Sequence, residues 1–461
     1  MAEADREANR FTGRVRRYAQ VGTGLGGVAA KLAGARLFGG GDNFDARTAR
    51  EITEALGGLK GPLMKVAQML ATIPDAVPPE YAEELATLQS AAPPMGWLFV
   101  KRRMTAELGV GWERRFRSFE HEPAAAASLG QVHRATAPDG TPLAVKLQYP
   151  DMDSAMEADL AQFAVLLSLH RKFRPAIDTR DVEVEIGARL REELDYRREA
   201  RHAALYRAVL AGEPGIRVPD VWPELSTRRL LTMTWLDGRP LLSFKGRPLE
   251  ERNLLADCLF RAWWHPFAHA GVIHGDPHLG NYTVATAENA EDGAVEGINL
   301  LDYGCIRIFP PEFVAGVVAL YRALQRNDRD GIAAAFAHWG FTGLTNELVN
   351  VLEVWARFIY GPLLDDRVRT IADTVAPGQY GRREAFKVHS ELKRLGPVRV
   401  PRPFVFMDRA AIGLGSVFLH LSAEMNFHQR FEAAIDGFDV DALTAKQATA
   451  LADAGLEAVT A

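Results

Sequence analysis

Between Asp45 and about Thr72 the apolar residues Ile52, Leu56, Leu59, Leu63, Val66 and Leu70 recur every three or four positions. That period predicts one buried face of a helix. Lys65 and Gln68, three apart, fall together on its other side. Pro74, Pro78 and Pro79 end the pattern, and a second helical stretch is expected from near Glu80, so residues 45–114 read as a helical extension. The pattern then changes. Arg115 to Glu120 predicts a strand, and Pro123 to Gly130 an alanine-rich turn. Gln131–Thr136 and Pro142–Tyr149 alternate apolar and polar residues on either side of Asp139-Gly140, a strong hairpin signal. Two helical stretches are expected over about 151–210, a strand over Arg229–Trp235, and a connector at Leu236-Asp237-Gly238. Beyond Glu250 helices predominate, interrupted by two short strands between Tyr282 and Leu301 that flank the polar turn Glu288–Gly297. The order predicts an α+β, bilobal fold. A small sheet-bearing lobe spans 115–238, a helical lobe 239–430, and an acidic, solvated helical end 431–461.

Composition narrows the function without naming it. With 48% hydrophobic and 25% charged residues, the 461-residue chain is ordinary for a soluble globular protein. Its net charge of -5 gives no general reason to expect a nucleic-acid partner. Two cysteines, Cys258 and Cys305, make no disulfide framework and point to a reducing, cytoplasmic setting. No stretch of about 20 residues is apolar enough to predict a membrane span. Residues 1–40 carry seven Lys/Arg against three Asp/Glu. Residues 1–44 are expected to be a flexible basic arm that permits peripheral membrane contact.

The chemistry is concentrated in two short runs. His274-Gly275-Asp276-Pro277-His278-Leu279-Gly280-Asn281 places an asparagine five residues after an aspartate, and Asp302-Tyr303-Gly304 follows. Their order matches the H-R-D-x-x-x-x-N loop and D-F-G motif of kinases. Phosphoryl transfer needs one carboxylate to orient or deprotonate a nucleophile, and oxygen ligands to hold Mg²⁺ against the phosphates. Asp276 suits the first task, Asn281 and Asp302 the second. ATP and Mg²⁺ are therefore expected. Upstream, Lys146 lies in Leu143-Ala144-Val145-Lys146, like the strand lysine that steadies ATP phosphates. A buried ammonium needs a carboxylate partner, and Glu193 and Asp195 are the candidates. In place of a glycine-rich loop stand Ala124, Ala125, Ala126 and Ala127, followed by Ser128 and Gly130. Alanine restricts φ where glycine does not, so a stiffer loop is expected. His265 and His269, one helical turn apart, have zinc-ligand spacing, but Trp263, Trp264 and Phe267 around them favour helix packing. His274 and His278 are expected to brace the loop by hydrogen bonding.

Taken together, the run Pro123 to Ala135, Ala144-Val145-Lys146, Glu193-Leu194-Asp195-Tyr196, the 274–281 loop and Asp302-Tyr303-Gly304 resemble the UbiB/AarF atypical kinase family. Lys65-Val66-Ala67-Gln68 and Leu88 to Met95 are similar to that family's leading extension, so the resemblance runs from about 45 to 430. It implies a protein-kinase-like fold, an ion pair of Lys146 with Glu193, Asp276 as catalytic aspartate, and Asn281 and Asp302 as metal ligands. Nucleotide contacts are implied along Ala124–Ser128, at Gly130 and Val132, and at Thr234 and Leu236. It further implies that Lys65 and Gln68 occlude the cleft against protein substrates. ATP hydrolysis or phosphorylation of a lipid or quinone precursor would then serve isoprenoid-quinone or membrane-lipid metabolism.

The chain departs from the family at Ala67, Gly275, Leu279 and His202, where the family has glycine, alanine, proline and asparagine. The alternatives are a small-molecule kinase of the aminoglycoside or choline type, which shares H-G-D-x-H-x-G-N, and a nucleotide-binding scaffold with little catalysis. The extension with Lys65 and Gln68, and the alanine loop, favour the UbiB-like reading over the small-molecule kinase. The complete set of catalytic groups speaks against a dead site.

Overall fold

The computed structural model describes residues 95–127, 129–157, 160–161, 187–188, 190–290, 292–372, 382–395 and 401–457. The expected basic arm, the expected helix with Lys65 and Gln68, and Ser128 lie outside them. The chain divides into two compact units, one running to Arg197 and taking in Trp222–Thr232, the other formed by Arg198–Val221 and Met233 onward.

The first unit holds a small antiparallel sheet and the helix α1 (Trp97–Leu108), with further helical residues at 152–157 and 190–192. Val100, Met104 and Leu108, at helical spacing, are buried with Leu143, Val145, Leu147 and Leu230 in a single core. The expected strand at Arg115–Glu120 is shorter than its pattern. Trp112–Arg115 forms a 3₁₀ turn, and β1 is only Ser118–Phe119. The alanine turn is corrected more sharply. Ala125–Ala127 is a strand, β2, paired antiparallel with β3 (Gly130–Thr136). The partner strand supplies the hydrogen bonds that alanine's weak β propensity does not predict.

β3 pairs in turn with β4 (Pro142–Gln148) through the Asp139-Gly140 turn. There Thr141 N–H donates to Asp139 Oδ1 at 2.9 Å, and this bond holds the aspartate carboxyl below its ordinary range. Gly130 is required by close approach. A Cβ there would stand 2.1 Å from the Leu147 carbonyl oxygen. Next to β4 in the sheet runs β5 (Leu230–Thr234), and the unit boundary crosses this strand. Arg103 of α1 is buried and donates to the Gln148 and Tyr149 carbonyls at 3.2 Å. Glu107 binds Arg103, Arg229 and Thr227 together.

The second unit is mainly helical, from α2 (Tyr196–Val209, whose first two residues belong to the first unit) through α3 (Leu249–Ala270) to the chain end. Two short sheets carry its loops. β6 (Val272–His274) pairs with β9 (Ile306–Ile308), and β7 (Tyr282–Thr286) pairs with β8 (Val295–Leu300). Around them pack α4 (Pro311–Arg326), α5 (Arg329–His338), α6 (Asn346–Leu364), α7 (Arg382–Leu395), α8 (Arg402–Leu421), α9 (Phe427–Ala434) and α10 (Val440–Asp453). The acidic end is not simply solvated. α10 buries Leu443, Gln447 and Leu451. The Gln447 amide donates to the Ala270 and Phe309 carbonyls at 2.8 and 2.9 Å. One apolar stripe in an otherwise acidic segment is enough to dock it.

Candidate active site

In the first unit the sheet's register sorts the candidate residues. Ala125 lies opposite Val132, and Val132 opposite Lys146. Directly paired residues point to the same side of a sheet. Ala125, Ala127, Gly130, Val132 and Lys146 therefore share one face, while Leu143, Val145 and Leu147 fill the core behind the other. Although it turns away from that core, Lys146 is only 8% exposed, and its Nζ stands 5.1 Å from the ring centroid of Tyr196. Glu193 is buried to the same degree in the same unit. Ala124 precedes the strand and donates its N–H to the Val132 carbonyl at 2.8 Å.

In the second unit the two motif runs meet. β6 delivers Asp276 and β8 delivers Asp302, and Gly275 N–H donates to the Cys305 carbonyl at 2.9 Å. Leu301 N–H donates to the Asn281 carbonyl at 3.0 Å. His274 ties both aspartates. Its Nδ1 accepts the Asp276 N–H at 3.2 Å, which leaves the proton on Nε2, and Nε2 donates to the Asp302 carbonyl at 2.8 Å. His278 accepts the Gly280 N–H at 3.1 Å and starts the 3₁₀ turn Leu279–Asn281. The loop-bracing role expected of both histidines is therefore observed. Asn281 spends its amide N–H on the Asp276 carbonyl at 2.9 Å, which turns Oδ1 into the available ligand atom. Asp302 Oδ1 accepts the Gly304 N–H at 3.0 Å. A carbonyl and a carboxylate oxygen are the donors Mg²⁺ prefers, and two are enough where phosphates and water complete its shell. The donor set fits magnesium.

Behind the loops Tyr282, Tyr303, Trp263 and Tyr206 are almost wholly buried. Tyr303 donates its hydroxyl to the Leu300 carbonyl at 2.9 Å. Burial, reinforced by the negative charges of Asp276 and Asp302, pushes the Tyr282 phenol up, so it stays neutral. Gly275 has a steric reason: a Cβ there would stand 2.8 Å from the Cys305 carbonyl oxygen.

Thr234 ends β5, with its N–H donating to the Asp220 carbonyl at 2.8 Å and its hydroxyl accepting the Asp220 N–H at 2.9 Å. Leu236 is half-buried beyond it. His265 and His269 stack on α3 at 4.1 Å, and His265 Nδ1 lies 3.2 Å from Glu213. Trp263 and Phe267 are buried in the core, as helix packing requires.

The sequence pattern of the ABC1 atypical kinase-like domain matches residues 87–336, more than half of the chain. The chain belongs to the ABC1, or UbiB/AarF, family of atypical kinases. Its fold is protein-kinase-like. The mitochondrial atypical kinase COQ8 of Saccharomyces cerevisiae is 29% identical over 298 residues, 64% of this chain and 58% of its own length. AarF domain-containing protein kinase 1 of Xenopus laevis is 32% identical over 275 residues, 59% of this chain and 52% of its own. The matched region thus spans only about half to three fifths of these relatives. Among solved structures, Rv3197 of Mycobacterium tuberculosis, described in a complex with erythromycin, is 26% identical. It covers 89% of this chain and 99% of its own, at a TM-score of 0.59.

Against this family the departure at His202 acquires a structural account. His202 is buried on α2, and its Nδ1 donates to the Tyr303 carbonyl at 3.1 Å. The D-Y-G backbone is therefore held by two histidines, His274 at Asp302 and His202 at Tyr303. Sequence spacing marked His202 only as a substitution. No local pattern reports a partner 101 residues away.

Proposed function

We propose that this ABC1-family chain is a Mg-ATP-dependent atypical kinase or ATPase acting in isoprenoid-quinone or membrane-lipid metabolism. The observation that carries the phosphoryl-transfer reading is His274, which binds the backbones of Asp276 and Asp302 at once. In this reading Asp276 orients water or an acceptor hydroxyl, and Asn281 and Asp302 hold magnesium. Bound magnesium supplies positive charge against the phosphate oxygens. Lys146, supported by Glu193, offsets the remaining phosphate charge. In this reading Ala124–Ala127, Ser128, Gly130, Val132, Thr234 and Leu236 contact the nucleotide. Lys65 and Gln68 limit access by a protein acceptor. The quinone or lipid acceptor rests on the family resemblance. Peripheral rather than spanning contact is compatible with the described helices, none of which is long and apolar enough to cross a membrane.

The deciding experiment is phosphate release from Mg-ATP by the purified chain, with and without anionic liposomes and a phenolic quinone-precursor analogue, beside Asp276→Asn. Turnover that rises with the additions and vanishes in the variant supports the whole reading. Nucleotide binding without variant-sensitive turnover replaces it with a scaffold role.

A further inference from the structure

Tyr196 closes the run Glu193-Leu194-Asp195-Tyr196 and opens α2. Its side chain is 1% exposed. Its position is fixed from behind, because its N–H donates to the Arg228 carbonyl at 2.9 Å. Two candidate nucleotide-binding elements meet on this one residue. The Lys146 ammonium lies 5.1 Å from the ring centroid, and the hydroxyl oxygen stands 3.0 Å from where a Cβ on Gly130 would be. An aromatic face carries negative charge density and attracts a cation placed over it, most strongly where water is excluded. Lys146 is long and has four rotatable side-chain bonds, whereas the buried ring has none of that freedom.

We infer that Tyr196 is a positioning residue: its ring face holds the Lys146 ammonium in place. The inference rests on the reading of Lys146 as a phosphate-binding group, but the contact itself is independent of that reading. Only the charged amine is attracted by the ring. Removing the ring's charge density therefore releases a larger fraction of uncharged, reactive amine.

The test is the rate at which acetic anhydride modifies Lys146 in the full, nucleotide-free chain at pH 8, read by mass spectrometry of the Lys146 peptide. Tyr196→Phe keeps the ring and should match the wild type. Tyr196→Leu should be labelled faster, by ~3-fold or more for a buried cation–π contact. Phenylalanine with a fluorinated ring at position 196 keeps the volume but withdraws the charge density. It should label ~2- to 3-fold faster than Tyr196→Phe, and it decides the question if Tyr196→Leu does not fold. Equal rates for the fluorinated and plain rings overturn the inference. So does a Tyr196→Phe rate as fast as that of a folded Tyr196→Leu protein. In turnover, Tyr196→Leu should raise the KM for ATP more than it lowers kcat, and Tyr196→Phe should restore it. An inactive wild type would sink the functional reading while leaving the labelling comparison intact.

Discussion

His274 reaches the Asp302 carbonyl at 2.8 Å while accepting the Asp276 N–H at 3.2 Å, so one imidazole sets the distance between two motif backbones that lie 26 positions apart in the chain. His274→Gln can satisfy only part of this arrangement. We expect turnover to fall by ~10- to 100-fold, the usual effect of removing a group that orients metal ligands. Phosphate release, measured across a magnesium titration, should show a raised magnesium requirement as well as a lower rate.

Asp302→Asn keeps the oxygen that accepts from Gly304 N–H and removes the negative charge. The fold should survive and turnover should be abolished. Thermal melting beside phosphate release separates the two. Wild-type turnover in this variant would remove Asp302 from the metal site.

The hairpin makes opposite predictions for neighbouring small residues. Gly130→Ala places a Cβ 2.1 Å from the Leu147 carbonyl. Such overpacking should destabilise the first unit by ~1–3 kcal/mol, visible in chemical denaturation. Ala126→Gly lies on the exposed strand β2 and should leave the melting temperature within a few degrees. It relaxes the hairpin, and isothermal titration should show tighter ATP binding relative to ADP.

Asp408 on α8 accepts from Trp355 Nε1–H at 2.6 Å, and burial pushes its carboxyl up to about 8. An unfolded aspartate titrates near ~3.9. Between these values the folded chain keeps a proton that the unfolded chain has lost. Stability therefore falls as pH rises from about 4 to about 8, and is flat above that range. Asp408→Asn keeps an acceptor for Trp355 and does not titrate. Its melting temperature should match the wild type near pH 4 and exceed it by a margin that grows up to pH 8. A margin independent of pH would show that Asp408 is ionised in the fold.

The motif loops were legible in the sequence because their residues are contiguous and keep the spacing of the kinase motifs. The β3–β4 hairpin was legible because Asp139-Gly140 fixes a turn and alternation fixes the faces. Alanines 125–127 were not read as a strand, since their extended form is imposed by β3. β6 and β9 are three residues each, too short for any period to register. The contributions of His202 and Tyr196 depend on partners far away in sequence. The acidic composition of the last segment concealed the stripe of Leu443, Gln447 and Leu451.

That last stripe has a consequence for how the chain can be shortened. Gln447 occupies the carbonyls at the end of α3 and just past β9, and α3 leads directly through Gly271 into β6 and the His274 loop. A cut made before Gln447 strips the donor from both carbonyls at the base of that loop. A trimmed version chosen to exclude an apparently dispensable tail would report a weakened protein, and the weakness would belong to the trimming.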